Sequence, residues 1–374
     1  MVGMSERVDV VVVGAGAMGS ATAWWLAGRG HDVVVLEQFD RGHDRGSSHG
    51  GSRIFRLAYP DPHYVRLARE ALPLWRALED DARRPLLDVT GGLDHGTPSA
   101  VAQVAAAMEA EGVAHEWLGG EAAAERWPGM RFDRAVLFQP DAGRCRAAET
   151  VTACQDRALI DGAAMRFGVG PATVDVGPGD GVTVRAGEEE WWSRVAVVTV
   201  GAWLAPVLAD LSAGTAMPPL TVTLEQVQHF APIDPTLRWP SFLHHRDGGP
   251  LVYGLETPAE GVKVDEHHAG RVIDPTGGER RADEARRAAM ADYVAAWFPG
   301  LDPTPVHTAT CLYTTTPTED FVIDRIGPIV IGSPCSGHGF KFVPLLGRML
   351  ADLADGTVTA PDHRFAAWHT GSPR

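Results

Sequence analysis

The sequence predicts an α/β protein with two interleaved domains, one built on a parallel sheet and the other a mainly antiparallel α+β domain inserted into it. Three patterns predict this architecture: a strand-helix-strand unit at the N-terminus, an alternation of apolar and polar residues between residues 219 and 264, and apolar strands on both sides of that alternation. A continuously apolar strand is covered on both faces, whereas an alternating strand has one solvated face. The patterns therefore indicate two different sheets.

The N-terminal unit begins with a valine-rich strand at residues 8–13. A helix over residues 17–29 and a second strand that ends at Glu37 follow it. The uninterrupted valines are typical of a parallel strand buried on both faces. This βαβ unit predicts that a Rossmann-type domain starts here.

The first turn of this unit carries the G-x-G-x-x-G fingerprint of dinucleotide binding, in Gly14, Gly16 and Gly19. The first glycine permits the tight turn, the second lets the backbone approach a pyrophosphate, and the third lets helix and strand pack closely. Glu37 stands where an acid binds a ribose hydroxyl. The motif predicts a bound dinucleotide but does not distinguish FAD from NAD.

Periodicity places the remaining elements. Helical spacing predicts helices at residues 62–80, 146–161, 281–297 and 343–356, and Pro73 argues against an unbroken helix in the first of these. A strand that runs through Gly201 into a helix is predicted at 195–208, and further strands at 308–324 and 328–333. The last helix is expected to stop at Gly356.

The order of these elements predicts the domain boundaries, because α/β segments flank the antiparallel ones. We expect the nucleotide-binding domain to comprise residues 1–88, 145–218 and 306–374. The inserted substrate domain then comprises residues 89–144 and 219–305.

Charge and hydropathy exclude several classes of partner. The net charge is −15 and no basic cluster stands out, so we expect no nucleic-acid partner. No apolar run approaches the ~20 residues of a membrane span. Glu6, Arg7 and Asp9 precede the first apolar run and argue against a signal peptide. We therefore expect a cytoplasmic protein.

Neither the cysteines nor the histidines predict a metal site or a disulfide framework. His244 and His245 lack a third ligand at metal spacing, and we expect them to be pocket or surface residues. Cys145 and Cys154 are expected in the core. The four cysteines, none at zinc-ligand spacing, are Cys145, Cys154, Cys311 and Cys335.

Lysine is rare in this chain. Of 33 basic residues only two are lysines, Lys263 and Lys341, and the rest are arginines. An ammonium is a compact charge with a movable pKa, whereas a guanidinium is a planar fork that stays charged. The two lysines are therefore either chance survivors of a drift towards arginine or positions that need lysine chemistry.

Three short segments suggest sites, each with a structural alternative. The glycine-rich loop "SPCSGHGFKF" at residues 333–342 suits a planar or anionic ligand, or is an ordinary βα turn. Arg53 and Arg56 are spaced to clamp a carboxylate, or are solvated charges. "GVKVDEH" places Lys263 and His267 on one face of a strand, which is either a site or an exposed sheet edge.

Taken in order, seven segments resemble the monomeric sarcosine oxidase family of FAD-dependent amine oxidases, which includes N-methyltryptophan oxidase. They are "VVVVGAGAMGSATAWWLAGRG", "GSSHGGSRIFRLAY", "FQPDAG", "VTVGAWL", "YGLETPAEGVKVDEH", "CLYTTTPTEDFVID" and "CSGHGFKF". The resemblance implies a glutathione-reductase-like FAD domain with an inserted antiparallel substrate domain. It also favours a functional reason for both lysines, since both fall within the matching segments.

The resemblance implies a role for individual residues. Cys311 matches the cysteine bonded covalently to the 8α-methyl group of FAD, and Lys263 matches the lysine that promotes reaction with O2. Arg56 and Lys341 match the pair that binds the substrate carboxylate. Tyr253 and His267 are expected to act with Lys263 at the catalytic site. The residues expected to bind FAD are Gly14, Gly16, Met18, Gly19, Glu37, Ser48, His49, Arg53, Gly201, Cys311, Gly337, His338, Gly339, Phe340 and Lys341.

The activity implied by the resemblance is oxidation of a secondary, N-alkylated α-amino acid. A hydride would pass from the carbon beside nitrogen to flavin N5, giving an imine, and O2 would reoxidise the flavin with formation of H2O2. Alternative substrates are a cyclic imino acid, a fructosyl amino acid or a biosynthetic amine. Alternative classes are an NAD-dependent dehydrogenase and a flavin-bearing subunit without turnover. We expect a monomer.

Departures from the family pattern bear on the substrate. Gly51 and Ser52 stand where a bulkier acid and a threonine are common. His244 stands about where some relatives have an apolar pocket residue. We therefore expect a more polar pocket, in which sarcosine is not the best substrate.

Overall fold

The computed structural model describes residues 6–177, 181–209, 217–359, 362 and 364–366. In the first half of the chain the elements are β1 (Glu6–Val13), α1 (Ala17–Gly28), β2 (Val33–Glu37), β3 (Ser52–Phe55), α2 (Pro62–Ala82), β4 (Leu87–Val89), β5 (Gly92–Gly96), α3 (Pro98–Ala110), β6 (Glu116–Leu118), α4 (Gly120–Arg126), β7 (Val136–Gln139), β8 (Gly143–Arg146), α5 (Ala147–Ile160), β9 (Ala164–Phe167), β10 (Ala172–Val176) and β11 (Val182–Ala186).

In the second half the elements are β12 (Glu189–Val198), α6 (Leu204–Ala209), β13 (Thr221–Pro232), β14 (Ser241–His245), β15 (Val252–Thr257), β16 (Gly261–Glu266), β17 (Arg271–Val272), α7 (Glu284–Trp297), β18 (Leu301–Thr315), β19 (Val322–Ile326), β20 (Ile329–Ser333) and α8 (Val343–Asp355). Single 3-10 turns precede α6 and α8, at Gly201–Trp203 and Phe340–Phe342.

The first sheet has the predicted parallel core. Its order is β10-β11-β12-β1-β2-β9, with β20 beside β12 and β19 beside β20. β1 pairs in parallel with both β2 and β12, through registers such as Val10 with Val33 and Val11 with Ala196. α1 packs against α5 and α8 to cover one face. The discontinuous Rossmann-type unit predicted from the sequence is confirmed.

The second sheet is mainly antiparallel, with the order β17-β13-β16-β15-β14-β5-β7-β6 and β18 beside β13. One pair departs from this pattern, because β14 runs parallel to β5, with Ser241 opposite Gly92. α7 packs on β16 and β18. β18 continues in one piece to Thr315 and so crosses the domain boundary predicted at residue 306.

α2 is an unbroken helix that contains Pro73, so the helix predicted at residues 62–80 is confirmed and the proline does not interrupt it. The helix begins with the side chain of Asp61, which accepts from the His63 amide at 2.9 Å, and with Pro62 in its first turn. Its inner face, which includes Trp75 and Leu78, is fully buried. Because tertiary packing supplies most helical stability in proteins, this face outweighs the cost of one interior proline.

A small third sheet has the order β3-β8-β4. Its strand β3 contains Arg53, and Arg56 follows directly after it. β16 lies between β13 and β15, so the exposed-edge alternative for "GVKVDEH" is wrong. None of the helices within the described ranges is long and apolar enough to cross a membrane.

Candidate cofactor and substrate site

One cavity of about 1470 Å³ extends from the glycine turn after β1 to the loop before α8. It exceeds the roughly 300–1,000 Å³ of ordinary small-molecule sites, as expected for a dinucleotide together with a substrate. Every site residue predicted from the sequence lines this cavity except Gly19. Gly19 instead packs α1 against the preceding turn, since a Cβ at this position would lie 1.8 Å from the Gly14 carbonyl oxygen.

The glycine turn has the geometry that the fingerprint requires. Gly14 has a φ of +96°, which side chains rarely adopt, and a Cβ there would lie 2.6 Å from the Thr199 carbonyl oxygen. Gly16 forms the N-terminal boundary of α1 and faces Ser48, whose Oγ accepts from the Ala17 amide at 3.0 Å. The start of α1 is therefore open to close approach by an anionic group.

Glu37 is held ionised at the end of β2. Its carboxylate accepts from the amides of Ala15 at 2.9 Å and Phe39 at 3.1 Å. Burial raises its pKa, but hydrogen bonds from His43 and from these amides outweigh burial and lower the pKa below its usual value. An ionised acid that lines the cavity suits the hydroxyl donors of a ribose.

Lys263 is almost fully buried, and its Nζ donates to the Ser52 carbonyl at 2.7 Å. Arg53 lies beside it and donates to the carbonyls of Ser47 at 2.9 Å, His49 at 2.7 Å and Ser52 at 2.7 Å. Burial and then the charge of Arg53 lower the pKa of Lys263 to about 7. The two cations form a positive region that favours negative charge in this part of the cavity.

His49 lies in the same region and has a ring nitrogen without a hydrogen-bond partner. Its Nε2 is buried and forms no hydrogen bond with any described residue. Burial and then Arg53 lower its pKa to about 4. A neutral imidazole with an unpaired ring nitrogen fits a hydrogen bond to a bound ring system.

Arg56 and Lys341 meet at the ring of Tyr59. The Arg56 guanidinium carbon lies 4.1 Å and the Lys341 Nζ 5.4 Å from the ring centroid. Lys341 donates to the His338 carbonyl at 2.6 Å, and Arg56 donates to the Ala58 carbonyl. No acid within the described ranges forms an ion pair with either cation. Burial and then Arg56 lower the pKa of Lys341 well below its usual value.

His267 and Tyr253 lie close to this pair. The centroids of their rings are 6.1 Å apart, and the ring of Tyr313 lies 5.6 Å from that of His267. Gly337 allows this packing, because a Cβ there would lie 2.5 Å from the Tyr313 ring and 2.7 Å from His267. Burial, followed by the charge of His268, lowers the pKa of His267 well below its usual value, so the imidazole is neutral.

Cys311 lies on β18, opposite Glu225 of β13, and its side chain reaches the cavity. Burial raises the pKa of its thiol to about 11, although the charges of Arg53 and Lys263 oppose this shift. Cys145 and Cys154 are fully buried core residues, as expected.

Sequence reasoning missed several residues of the cavity wall. Tyr313 lies within a segment that carries the family resemblance, so the neighbouring residues were a usable signal. Leu243 and Leu251 had no such signal. Cys335 also reaches the cavity.

The expected contribution of His244 to a polar pocket is wrong. On β14 alternate side chains face opposite sides of the sheet, and Leu243 faces the cavity. His244 faces α7, where its Nδ1 lies 2.7 Å from the Tyr293 hydroxyl and its ring stacks on His95 at 4.3 Å. This part of the pocket wall is therefore apolar.

Buried histidines should make the protein sensitive to acid. Burial is the main cause that lowers the pKa of the histidines named below, so their imidazoles are neutral in the folded state. For His244 the pKa is lowered to about 4. Unfolding restores a pKa near 6.5, so the stabilising contribution is complete above pH 6.5 and is lost as pH falls towards 4. The histidines with lowered pKa in cavity and core are His49, His95, His229, His244, His267 and His338.

We expect the free energy of unfolding, measured by urea titration between pH 8 and 5, to decrease steeply below pH 6.5. His244→Phe should reduce the slope in that range by up to about 1.4 kcal/mol per pH unit, the linkage for one proton. His115→Phe changes a partly exposed histidine and serves as the control. An unchanged slope in His244→Phe would contradict the expectation.

Three features of the site fit FAD. The glycine turn leaves room for a pyrophosphate, the ionised Glu37 suits a ribose, and the unpaired nitrogen of His49 suits a ring system. Comparison with known proteins gives the same result. The model of the family described as FAD dependent oxidoreductase matches residues 9–353. This match also argues against the NAD-dependent alternative.

Individual relatives match almost end to end. The chain is 34% identical to the monomeric sarcosine oxidase of Streptomyces avermitilis over 96% of each chain, and 32% identical to the peroxisomal sarcosine oxidase of Homo sapiens over 95% and 94%. Among solved structures, it is similar to the open form of NikD, described as an unusual amino acid oxidase essential for nikkomycin biosynthesis. That comparison has a TM-score of 0.86 and 31% identity, and covers 98% of this chain and 99% of that one. The chain thus belongs to the FAD-dependent oxidoreductase family, within which it is similar to the sarcosine oxidases.

Proposed function

We propose that this protein is an oxidase of a secondary, N-alkylated α-amino acid, which it converts to an imine while O2 is reduced to H2O2. The observation that carries the proposal is the pair Arg56 and Lys341. Both cations line the cavity and lie against the ring of Tyr59 behind it, and neither has an acidic partner among the described residues. Cations in a buried site need a counterion, and a substrate carboxylate would supply it.

The residues proposed to hold FAD follow from their places along the cavity. Gly14 and Gly16 would accommodate the pyrophosphate, Glu37 the ribose, and His49 and Arg53 the ring system. Cys311 would form the covalent attachment. When bound, FAD supplies the two-electron oxidation of the carbon–nitrogen bond and the reaction with O2.

The surrounding charges would also select the reactive form of the substrate. An amine can release a hydride from its neighbouring carbon only when it is neutral. The charge of Arg56 disfavours a further positive charge nearby, and His267 is itself neutral. The carboxylate would therefore be held as an anion while the amine loses its proton.

Lys263 is proposed to assist the reaction with O2. Reduction of O2 develops negative charge on oxygen, which a buried ammonium stabilises more strongly than water does. The hydrogen bond from Nζ to the Ser52 carbonyl fixes the position of this charge before the reaction begins.

A substrate panel with a peroxide readout tests the proposal. We expect the purified protein to be yellow and to form H2O2 with an N-alkyl α-amino acid or a cyclic imino acid. The analogue of the best substrate that lacks only the carboxylate should have a kcat/KM about 10–100-fold lower than that substrate. This is the effect of one charge-assisted hydrogen bond. Anaerobic mixing with the substrate should bleach the flavin. Bleaching by no member of the panel would contradict an oxidase function.

The panel also separates the alternative substrates, because N-methyl, cyclic and fructosyl amino acids each form one arm of it. The monomeric state and the cytoplasmic location stay predictions. Size-exclusion chromatography with light scattering tests the first of them.

A further inference from the structure

The backbone that follows Arg56 is held by a side chain from a distant part of the sequence. The Oε1 atom of Gln139 accepts from the amides of both Leu57, at 2.9 Å, and Ala58, at 3.1 Å. The carbonyl of Ala58 in turn accepts from the Arg56 guanidinium. Gln139 thus fixes the turn to which the guanidinium is bound.

Gln139 is itself oriented by a buried acid. Its Nε2 donates to Oδ2 of Asp94 at 3.3 Å, and Oδ1 of Asp94 lies 2.9 Å from Nε2 of His245. Asp94 is fully buried. The two backbone amides can only donate, so the side-chain amide of Gln139 must turn its oxygen to the backbone and its nitrogen to Asp94, which accepts from it. His245 correspondingly carries its proton on Nε2.

This chain of hydrogen bonds joins two parts of the fold. His245, Asp94 and Gln139 lie on β14, β5 and β7, which are neighbouring strands of the second sheet. Leu57 and Ala58 follow β3, which belongs to the small third sheet. The hydrogen bonds therefore connect three neighbouring strands of the second sheet to the turn that holds the Arg56 guanidinium.

We propose that His245, Asp94 and Gln139 are positioning residues that hold Arg56 in its carboxylate-binding geometry and so set the affinity for the substrate. The inference rests on the proposed function, in which Arg56 binds the carboxylate. Loss of Gln139 would leave two buried amides without an acceptor and would release the turn. The effect would be selective, because the network reaches the carboxylate-binding end of the site through Arg56.

The first test is Gln139→Leu in the FAD-loaded enzyme. We expect KM for the amino-acid substrate to rise by about 10–100-fold while kcat changes much less, because binding through Arg56 is weakened. The amine that lacks a carboxylate should keep its kcat/KM. An equal loss with both substrates would overturn the proposal, because it would indicate general damage to the site.

An exchange of the two side chains gives a sharper test. Gln139→Glu alone places two carboxylates together and should also raise KM. In the double variant Gln139→Glu/Asp94→Asn, the new acid accepts from both amides, and the new amide donates to it and still accepts from His245. We expect this double variant to restore KM. Failure to restore it, with the folded state intact, would overturn the proposal.

Gln226→Leu is the matched control. Gln226 is a buried glutamine of the second sheet that bonds to the backbone amide and carbonyl of Asp283. It does not line the cavity, so KM should not change in this variant.

Two readouts do not depend on turnover and separate this inference from the proposed function. Hydrogen exchange of the Leu57 and Ala58 amides should become faster in Gln139→Leu and return to its original rate in the double variant. The dissociation constant of acetate, measured by its effect on the flavin spectrum, should increase in Gln139→Leu and return to its original value in the double variant. If the wild-type protein oxidises no amino acid but both readouts respond, the proposed function fails and the positioning network stands. Unchanged exchange and unchanged acetate binding would overturn the network.

Discussion

Replacing Lys263 with methionine is expected to slow the reoxidation of the reduced enzyme by O2 by about 10²–10³-fold, the usual cost of removing one fixed stabilising group from a developing charge. Anaerobic reduction by the substrate should stay within a few-fold of the wild-type rate. Methionine is an unbranched side chain one heavy atom shorter than lysine, and it removes the charge and the hydrogen bond to the Ser52 carbonyl. Stopped-flow absorbance measures the two half-reactions separately.

The same reasoning predicts the pH dependence. Burial and Arg53 lower the pKa of Lys263 to about 7, so the ammonium is lost as pH rises through this value. Reoxidation of the wild-type enzyme should therefore become slower with increasing pH. A negative charge close to Lys263 would raise its pKa and so move the midpoint of this pH dependence to a higher pH. Lys263→Met should lose this dependence.

The chain contains a matched control for this variant, since its other lysine lies in the same cavity. Lys341→Met is expected to raise the substrate concentration needed for anaerobic reduction and to leave reoxidation nearly unchanged. The reverse assignment, with Lys263→Met impaired in reduction and Lys341→Met impaired in reoxidation, would contradict both proposed roles.

The elements that the sequence predicted well are those specified by local patterns. The βαβ unit follows from the valine run, the three glycines and Glu37, which lie within 30 residues of one another. Gly356 ends α8 in a left-handed conformation, as expected for a C-terminal glycine. Pro73 leaves α2 unbroken because the packing of a whole buried face outweighs the local penalty of one proline.

Features that depend on contacts between distant segments could not be predicted in the same way. The parallel pairing of β14 with β5 joins residues about 150 positions apart, and only this pairing brings His245 to Asp94. The error at His244 has a similar cause. A shift of one residue along a strand reverses the face, so placing Leu243 rather than His244 in the cavity requires the observed register.

The site residues other than the three glycines of the fingerprint and Glu37 were predicted through a family resemblance rather than through local rules. Nothing in the sequence around Lys263 indicates that Arg53 lies beside it, because that contact joins β16 to the small third sheet. The resemblance gave the positions, and the structure adds the partners, burial and charge that assign each position a chemical task.

The other large effect is expected at Cys311. Acid precipitation of the wild-type protein should leave the yellow colour in the pellet. Mass spectrometry should show a chain heavier by one FAD less two hydrogen atoms, because the thiol and the methyl group each lose one and O2 takes up the two electrons. Cys311→Ala should release all of its flavin into the supernatant. Cys335→Ala is the control, because this second thiol reaches the same cavity and should keep the flavin attached.

The raised pKa of Cys311 predicts how the attachment depends on pH. Only the thiolate is a nucleophile, and burial raises the pKa of this thiol to about 11. Incorporation of added FAD into the apoprotein should therefore become faster between pH 7 and 9, where the thiolate fraction rises about tenfold per pH unit. Arg53 and Lys263 favour the thiolate, so Lys263→Met should also slow attachment. Colour in the supernatant of the wild-type protein, or attachment that persists in Cys311→Ala, would contradict a thioether at this position.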